Sequence, residues 1–156
     1  MNQTAILWPM IAHVLLVCIV YVRLGWRRRI AVQTGAASPN QFKLRTREPE
    51  VSAATANNLV NQFELPVLFH VLCLALFMTR GASYLTVVLA WLFVLLRYFH
   101  AYVHVTSNDL RYRSPAFAAG FVVLVVMWAV FAAPSRRGIA KVSDRPRTRR
   151  SSSCRT

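Results

Sequence analysis

The chain has 156 residues, of which 56% are hydrophobic, and its mean hydropathy of +0.40 is too high for a typical soluble domain of this length. Its formal net charge of +14 is in the range of nucleic-acid-binding proteins. However, the basic residues lie in the connections between apolar segments and near the carboxyl end, where they act as membrane topology signals. The composition therefore excludes a soluble enzyme and argues against a nucleic-acid partner.

Four apolar segments are long enough to cross about 30 Å of hydrocarbon, which takes about 20 residues. They cover residues 5–22, 59–79, 84–105 and 115–133. The sequence thus predicts an all-α integral membrane four-helix bundle over residues 1–134, surrounded by the lipid bilayer. Residues 135–156 are rich in Arg and Ser and lack apolar periodicity, so we expect a basic disordered tail there.

Basic residues close the first apolar segment, at Arg27, Arg28 and Arg29, and continue through the first connection. An excess of Lys and Arg marks the cytoplasmic side of a membrane protein. We therefore expect a multi-pass protein whose first and third connections are cytoplasmic. The basic residues at 135–156 compete with that orientation, but the first helix usually dominates.

Local signals define the ends of the later spans. The run Glu-Pro-Glu at residues 48–50 predicts that the second helix starts ahead of its apolar part, since proline and acidic residues favour a first helical turn. The short turn at residues 79–83 makes the second and third spans antiparallel neighbours. Ser114 and Pro115 predict the start of the fourth span.

Polar residues recur inside the second and third spans, where ionisable groups are rare and are interpreted by default as functional. Asn57, Asn61 and Glu64 follow the spacing i, i+4, i+7, which predicts one face of the second helix. A similar stripe on the third helix contains Arg97, His100, His104 and Asn108.

The turn between these spans also predicts their relative depth. Glu64 lies 17 residues before Gly81, and Arg97 lies 16 residues after it. At 1.5 Å per residue, both residues are roughly 25 Å from the turn. The acid and the base should therefore be level, near the end of the bundle that carries the first connection, and a pocket there would open to the cytoplasm.

A purely structural interpretation competes with this one. Glu64 and Arg97 would form a buried ion pair that holds two helices together, because charges within membranes usually pair. Asn57 and Asn61 would then be interhelical hydrogen-bonding residues.

The histidines have similar alternatives. The spacing of His100 and His104 permits metal binding, but no further ligand pattern accompanies them, so packing or a pathway role is favoured and no metal is predicted. His13 and His70 are single histidines within spans, and we expect them to pack or to hydrogen bond between helices.

Two motifs give this chain a family resemblance. Residues 61–66 (Asn-Gln-Phe-Glu-Leu-Pro) resemble the Asn-x-x-Glu…Pro signature of the MAPEG proteins, the membrane-associated proteins of eicosanoid and glutathione metabolism. Residues 97–102 (Arg-Tyr-Phe-His-Ala-Tyr), followed by Arg113, resemble the third-span pattern of the same family. The resemblance covers all four spans and is strongest to short bacterial members, which implies a bacterial plasma membrane.

The resemblance implies a left-handed four-helix bundle that forms a homotrimer, with cytoplasm-facing sites between subunits. Glutathione, as co-substrate, would lie in such a site, and a lipophilic small molecule would reach it through the bilayer. One of the arginines at the end of the first span (Arg27, Arg28 or Arg29) would stabilise the thiolate. The ligand would be bound by Asn57, Asn61, Glu64, Arg97, Tyr98, Tyr102 and Arg113.

The implied activity is a glutathione S-transferase or peroxidase reaction on lipophilic substrates, since nearby positive charge lowers a thiol pKa. The alternative is a non-catalytic membrane protein that binds lipids or regulates a partner. It is favoured by Asn57, which stands one turn before Asn61, where several catalytic members carry arginine. A third hypothesis is a small transporter that uses Glu64, Arg97 and His100 as a relay.

Overall fold

The computed structural model describes residues 2–43 and 48–133, and within them the chain is helical without β-strands. Short 3-10 turns occupy Gln3–Ile6 and Pro39–Lys43. The α-helices of the described residues are α1 (Leu7–Gln33), α2 (Glu50–Asn61), α3 (Leu65–Met78), α4 (Tyr84–Val105) and α5 (Leu110–Ala132). The expected basic tail at residues 135–156 lies outside the described residues.

Four helical segments of the described chain are long and apolar enough to cross a membrane, and α2 and α3 together form the second of them. Large apolar side chains such as Trp8, Val22 and Met78 are exposed on the surface of the bundle. Such exposure suits lipid-facing positions, because lipid tails are as apolar as these side chains. The predicted all-α membrane architecture with four spans is confirmed.

Two predicted span boundaries are wrong. Helix α1 continues to Gln33 because its apolar stripe does not stop at residue 22: Leu24 and Ala31 are still buried. Helix α5 begins at Leu110 rather than at Pro115, since the Asp109 carboxylate caps it by accepting a 2.9 Å hydrogen bond from the Arg111 backbone. The predicted start of the second helix near residues 48–50 is confirmed, with Pro49 as its N-cap.

The second span is interrupted at residues 62–64, which the sequence did not predict. Glu64 leaves the helical region at φ −92° and ψ −101°, and α3 starts at the next residue. Pro66 explains the interruption, because proline has no backbone N–H for the carbonyl four residues earlier, and its ring clashes with that carbonyl. The prediction that Asn57, Asn61 and Glu64 share one continuous helical face is therefore wrong.

Arg97 of α4 compensates for the interruption. Its Nη2 donates 2.7 Å and 3.3 Å hydrogen bonds to the Asn61 backbone oxygen and to Gln62 Oε1. Gln62 Nε2 donates to Asn58 Oδ1 at 2.9 Å, and His13 Nε2 lies 3.3 Å from Gln62 Oε1. Side chains from α1 and α4 thereby bind the polar groups that the break would otherwise leave unpaired in the membrane.

Contacts along the bundle confirm that the second and third spans are antiparallel. Asn58 Nδ2 donates to the Ala101 backbone oxygen at 3.4 Å, and the Phe69 and Phe93 rings stack with centroids 4.5 Å apart. Residue numbers thus rise on one helix as they fall on the other. At the turn, the Gln3 side chain bonds both the N–H and the C=O of Ala82, which ties the start of the chain to this end of the bundle.

The end of the bundle nearest this turn is closed by an apolar cluster. Phe69 and Phe93 lie at its centre, and further members are Ile6, Leu72, Leu76, Val94 and Met127. Polar side chains concentrate towards the other end, which carries the first connection and near which the sequence places Glu64 and Arg97.

The hydrogen bonds of Gln62 give a stability prediction. In Gln62→Leu, the Asn58, His13 and Arg97 groups lose a buried partner, so we expect the unfolding free energy in mixed micelles to fall by about 2 kcal/mol. Titration with a denaturing detergent measures it. The matched control is Gln33→Leu at the exposed end of α1. Equal stability of the two variants would contradict this role of Gln62.

Candidate functional site

The polar residues of the second span divide into an interior set and an exterior set. Asn58 and Gln62 are fully buried, whereas Asn57 and Glu64 are exposed and Asn61 is half-buried. Sequence reasoning overlooked the interior pair. The signal in the sequence was the i, i+4 spacing of Asn58 and Gln62, which places them on the same helical face as the buried Thr55.

The third-span stripe faces the interior. Arg97, His100 and His104 are all buried on α4. Arg97 forms no ion pair with Glu64 in the described residues, so the interpretation of the two as a buried ion pair is wrong for this chain. The predicted common level of Glu64 and Arg97 agrees with the bond from Arg97 to the backbone oxygen of Asn61, three residues before Glu64. Asn108 does not extend the stripe, since α4 ends at Val105.

The histidines serve helix packing. His100 Nδ1 donates to the Arg113 backbone oxygen at 3.1 Å, and the His100 and His104 rings meet edge to face at 5.6 Å. His13 bonds Gln62, and its ring lies 5.1 Å from that of His70, as an interhelical role predicts. Over residues 2–43 and 48–133, no group of three or more His, Cys, Asp or Glu side chains is arranged to hold a metal ion.

The remaining residues suggested by the family resemblance are not gathered at one place within a single chain. The Tyr98 hydroxyl donates to the Ala12 backbone oxygen at 2.8 Å, so it connects α4 to α1. Tyr102 is exposed. Arg113 donates to the Asn108 side chain at the start of α5. Of the suggested set, Asn57 and Arg28 line a pocket between α1 and α2.

This pocket lies between α1 and α2 at the end of the bundle that carries the first connection, and its volume is about 730 Å³. Its polar groups are Arg28, Glu48 and Asn57. Its apolar walls are formed by Tyr21, Leu24, Phe42, Leu59, Val60 and Phe63. This volume falls within the range of small-molecule sites, and the lining combines polar and apolar groups as such sites do.

Arg28 is the electrostatic centre of the pocket. Its Nε and Nη2 donate to the two Glu48 carboxylate oxygens at 2.9 Å and 2.8 Å, and its guanidinium lies 5.2 Å from the Phe42 ring centroid. The Ser52 hydroxyl donates to Glu48 at 2.7 Å. The bonds from Arg28 hold the pKa of the Glu48 carboxyl below its ordinary value; partial burial opposes this, and the Ser52 bond adds to it.

The three arginines at the end of α1 differ in position. Arg28 lines the pocket, whereas Arg29 is exposed and Arg27 is half-buried outside it. One turn of helix separates Arg28 from Leu24 and two turns separate it from Tyr21, which explains why all three face α2. Tyr21 and Phe63 meet edge to face at 6.3 Å at the deeper end of the pocket.

Comparison with known proteins gives one result for nearly the whole described chain. Residues 5–133 match the MAPEG family. No curated protein and no solved structure matches the chain.

The pKa of Glu48 gives a pH prediction. Because the folded-state pKa is lowered, the stabilisation is present above the unfolded value of about 4.3 and is lost as the pH falls through the folded value. The pair is partly exposed, so the effect should stay below about 1 kcal/mol. Thermal unfolding at pH 3 to 7 should show a smaller acid-side loss in Glu48→Gln. Identical pH profiles for both proteins would contradict it.

The Tyr98 hydroxyl gives a second prediction. Because it bonds Ala12, Tyr98→Phe should lower the unfolding free energy by about 0.5–1.5 kcal/mol. Tyr84→Phe, an identical change at an exposed position at the start of the same helix, should leave it unchanged. Detergent-denaturation curves measure both, and equal curves would refute a structural role for the Tyr98 hydroxyl.

Proposed function

Since the chain belongs to the MAPEG family, we propose that it is an integral membrane enzyme that uses an anionic thiol, glutathione in the first instance, on lipophilic substrates. The thiol binds in the pocket between α1 and α2. The reaction is addition of the thiol to an electrophile or reduction of a lipid hydroperoxide.

The observation that carries this proposal is the combination of groups in the pocket. Arg28 supplies positive charge and Asn57 supplies an amide, both at the end of the bundle that carries the first connection. Glutathione has two carboxylates and a thiol that ionises, so it suits a charge-assisted donor of this kind. The apolar walls, which include Val60 and Phe63, suit a co-substrate that arrives from the bilayer.

The chemistry follows from the position of the guanidinium. Nearby positive charge favours the thiolate, which is the nucleophile. In an addition, the sulfur forms a bond to the electrophilic carbon, and that carbon's π electrons move to its neighbour, which takes up the proton released by the thiol. In a peroxide reduction, two thiols form a disulfide while the hydroperoxide becomes an alcohol and water. Among the three arginines at the end of α1, Arg28 lines the pocket, where it would bind a carboxylate of glutathione and bring positive charge near the thiol.

The exterior polar residues support a multi-subunit site as part of the proposal. Glu64 and Tyr102 are exposed in the second and third spans, where lipid tails cannot hydrogen bond with them. A second subunit would cover them, and a homotrimer would join Glu64, Tyr102 and Arg113 to the pocket of a neighbour. In this arrangement the first and third connections face the cytoplasm, where glutathione is available.

A non-catalytic lipid-binding role is the second candidate, and one observation favours it. Arg28 is already neutralised by a bidentate bond to Glu48, which weakens its effect on a thiol. The transporter hypothesis is disfavoured, because the apolar cluster around Phe69 and Phe93 closes the far end of the bundle.

Calorimetric titration of glutathione into the detergent-purified protein tests the proposal. Arg28→Gln should weaken binding about ten-fold, since a charge-assisted bond is lost. Arg29→Gln, the same change at the exposed neighbour, should bind as wild type. Glu64→Ala and Arg113→Ala test the contribution of a neighbouring subunit. Absence of wild-type binding at millimolar glutathione, or equal losses in the two arginine variants, would overturn the proposal.

A further inference from the structure

The Arg28–Glu48 pair lies inside the pocket rather than on a remote surface. Both residues line the same space as Asn57 and Phe63, and the carboxylate uses both of its oxygens on the guanidinium. A carboxylate from another molecule could make the same two bonds only where Glu48 now makes them. In the pocket, the carboxylate of Glu48 therefore already occupies Arg28, the group that would bind a ligand's anion.

The geometry at Arg28 selects for a carboxylate. Two parallel N–H donors at 2.8 Å and 2.9 Å match two oxygens on one planar group, which a single-atom anion cannot reproduce. The Phe42 ring over the guanidinium keeps that plane in place. Arg28 is thus shaped for a carboxylate-bearing ligand.

Two interactions would still stabilise the Glu48 carboxylate after it leaves Arg28. It precedes Pro49, the N-cap of α2, so it stays near the positive end of that helix. The Ser52 hydroxyl in the first turn of α2 donates to it independently of Arg28. Because the ion pair is partly exposed, it contributes little to stability, and its exchange for another carboxylate is feasible.

We propose that Arg28 is the carboxylate-binding residue of the pocket and that Glu48 occupies the ligand's position in the empty protein. A ligand carboxylate replaces Glu48 on Arg28, and its apolar part extends along α1 towards Tyr21 and Phe63. Glu48 therefore sets the affinity for carboxylate ligands by direct competition. This inference deepens the proposed function, since it concerns the same pocket, but it does not depend on the thiol.

Binding of hexanoate and of hexanol to the full chain in lipid nanodiscs tests the competition. Glu48→Gln removes the competing charge, so hexanoate should bind about five-fold more tightly than it does to wild type. Hexanol binding should not change. Arg28→Gln should abolish the preference for hexanoate over hexanol.

Glu50→Gln is the matched control, because it removes the same charge two residues along, at an exposed position outside the pocket. It should leave hexanoate binding as in wild type. Equal gains in the Glu48 and Glu50 variants would indicate a general field effect and overturn the inference. The inference would also be overturned if hexanoate bound no more tightly than hexanol to both wild type and Glu48→Gln. Thermal unfolding of each variant establishes that it is folded.

The same proteins separate this inference from the proposed function. Hexanoate competition without any glutathione binding would sustain the role of Glu48 and overturn the thiol enzyme. Glutathione binding of equal affinity in wild type and Glu48→Gln would sustain the thiol enzyme and overturn the role of Glu48.

Discussion

The arrangement of this bundle depends on the bond between Arg97 and the end of α2. A break in a membrane span exposes backbone carbonyls that neither water nor lipid can satisfy. Arg97 donates to the Asn61 carbonyl at 2.7 Å. Gln62, which also accepts from Arg97, connects it by hydrogen bonds to His13 of α1 and to Asn58 of α2. A guanidinium suits this position because it offers several donors to neutral acceptors in a fixed plane. Its Nε and Nη1 have no hydrogen-bond partner among the described residues.

The faces of the second span determine which polar residues are available for ligands. Asn58 and Gln62 face the interior, while Asn57 lies at the pocket and Glu64 on the outer surface. The buried polar groups serve stability, and the exterior ones are available for a ligand or a second subunit. The polar residues that stabilise the fold and those that are available for a ligand therefore lie on different sides of the second span.

Much of this fold could be predicted because hydropathy and helical rise determine it. The four spans, the antiparallel pairing and the level of Arg97 follow from segment length, the short turn and 1.5 Å per residue. The break could not be inferred from periodicity, which assumes an unbroken helix, although Pro66 was its local cause. Arg28 could not be separated from its neighbours in the sequence, because its selection depends on how α1 packs against α2 and on Glu48, 20 residues away.

A crystal structure of the protein grown with glutathione would show whether the pocket between α1 and α2 is an anion-binding site centred on Arg28. We expect ligand density in that pocket, with a carboxylate bonded to Arg28 and with Glu48 released towards Ser52. Ligand density that contacts Glu64 or Arg113 while the Arg28–Glu48 pair remains intact would contradict it.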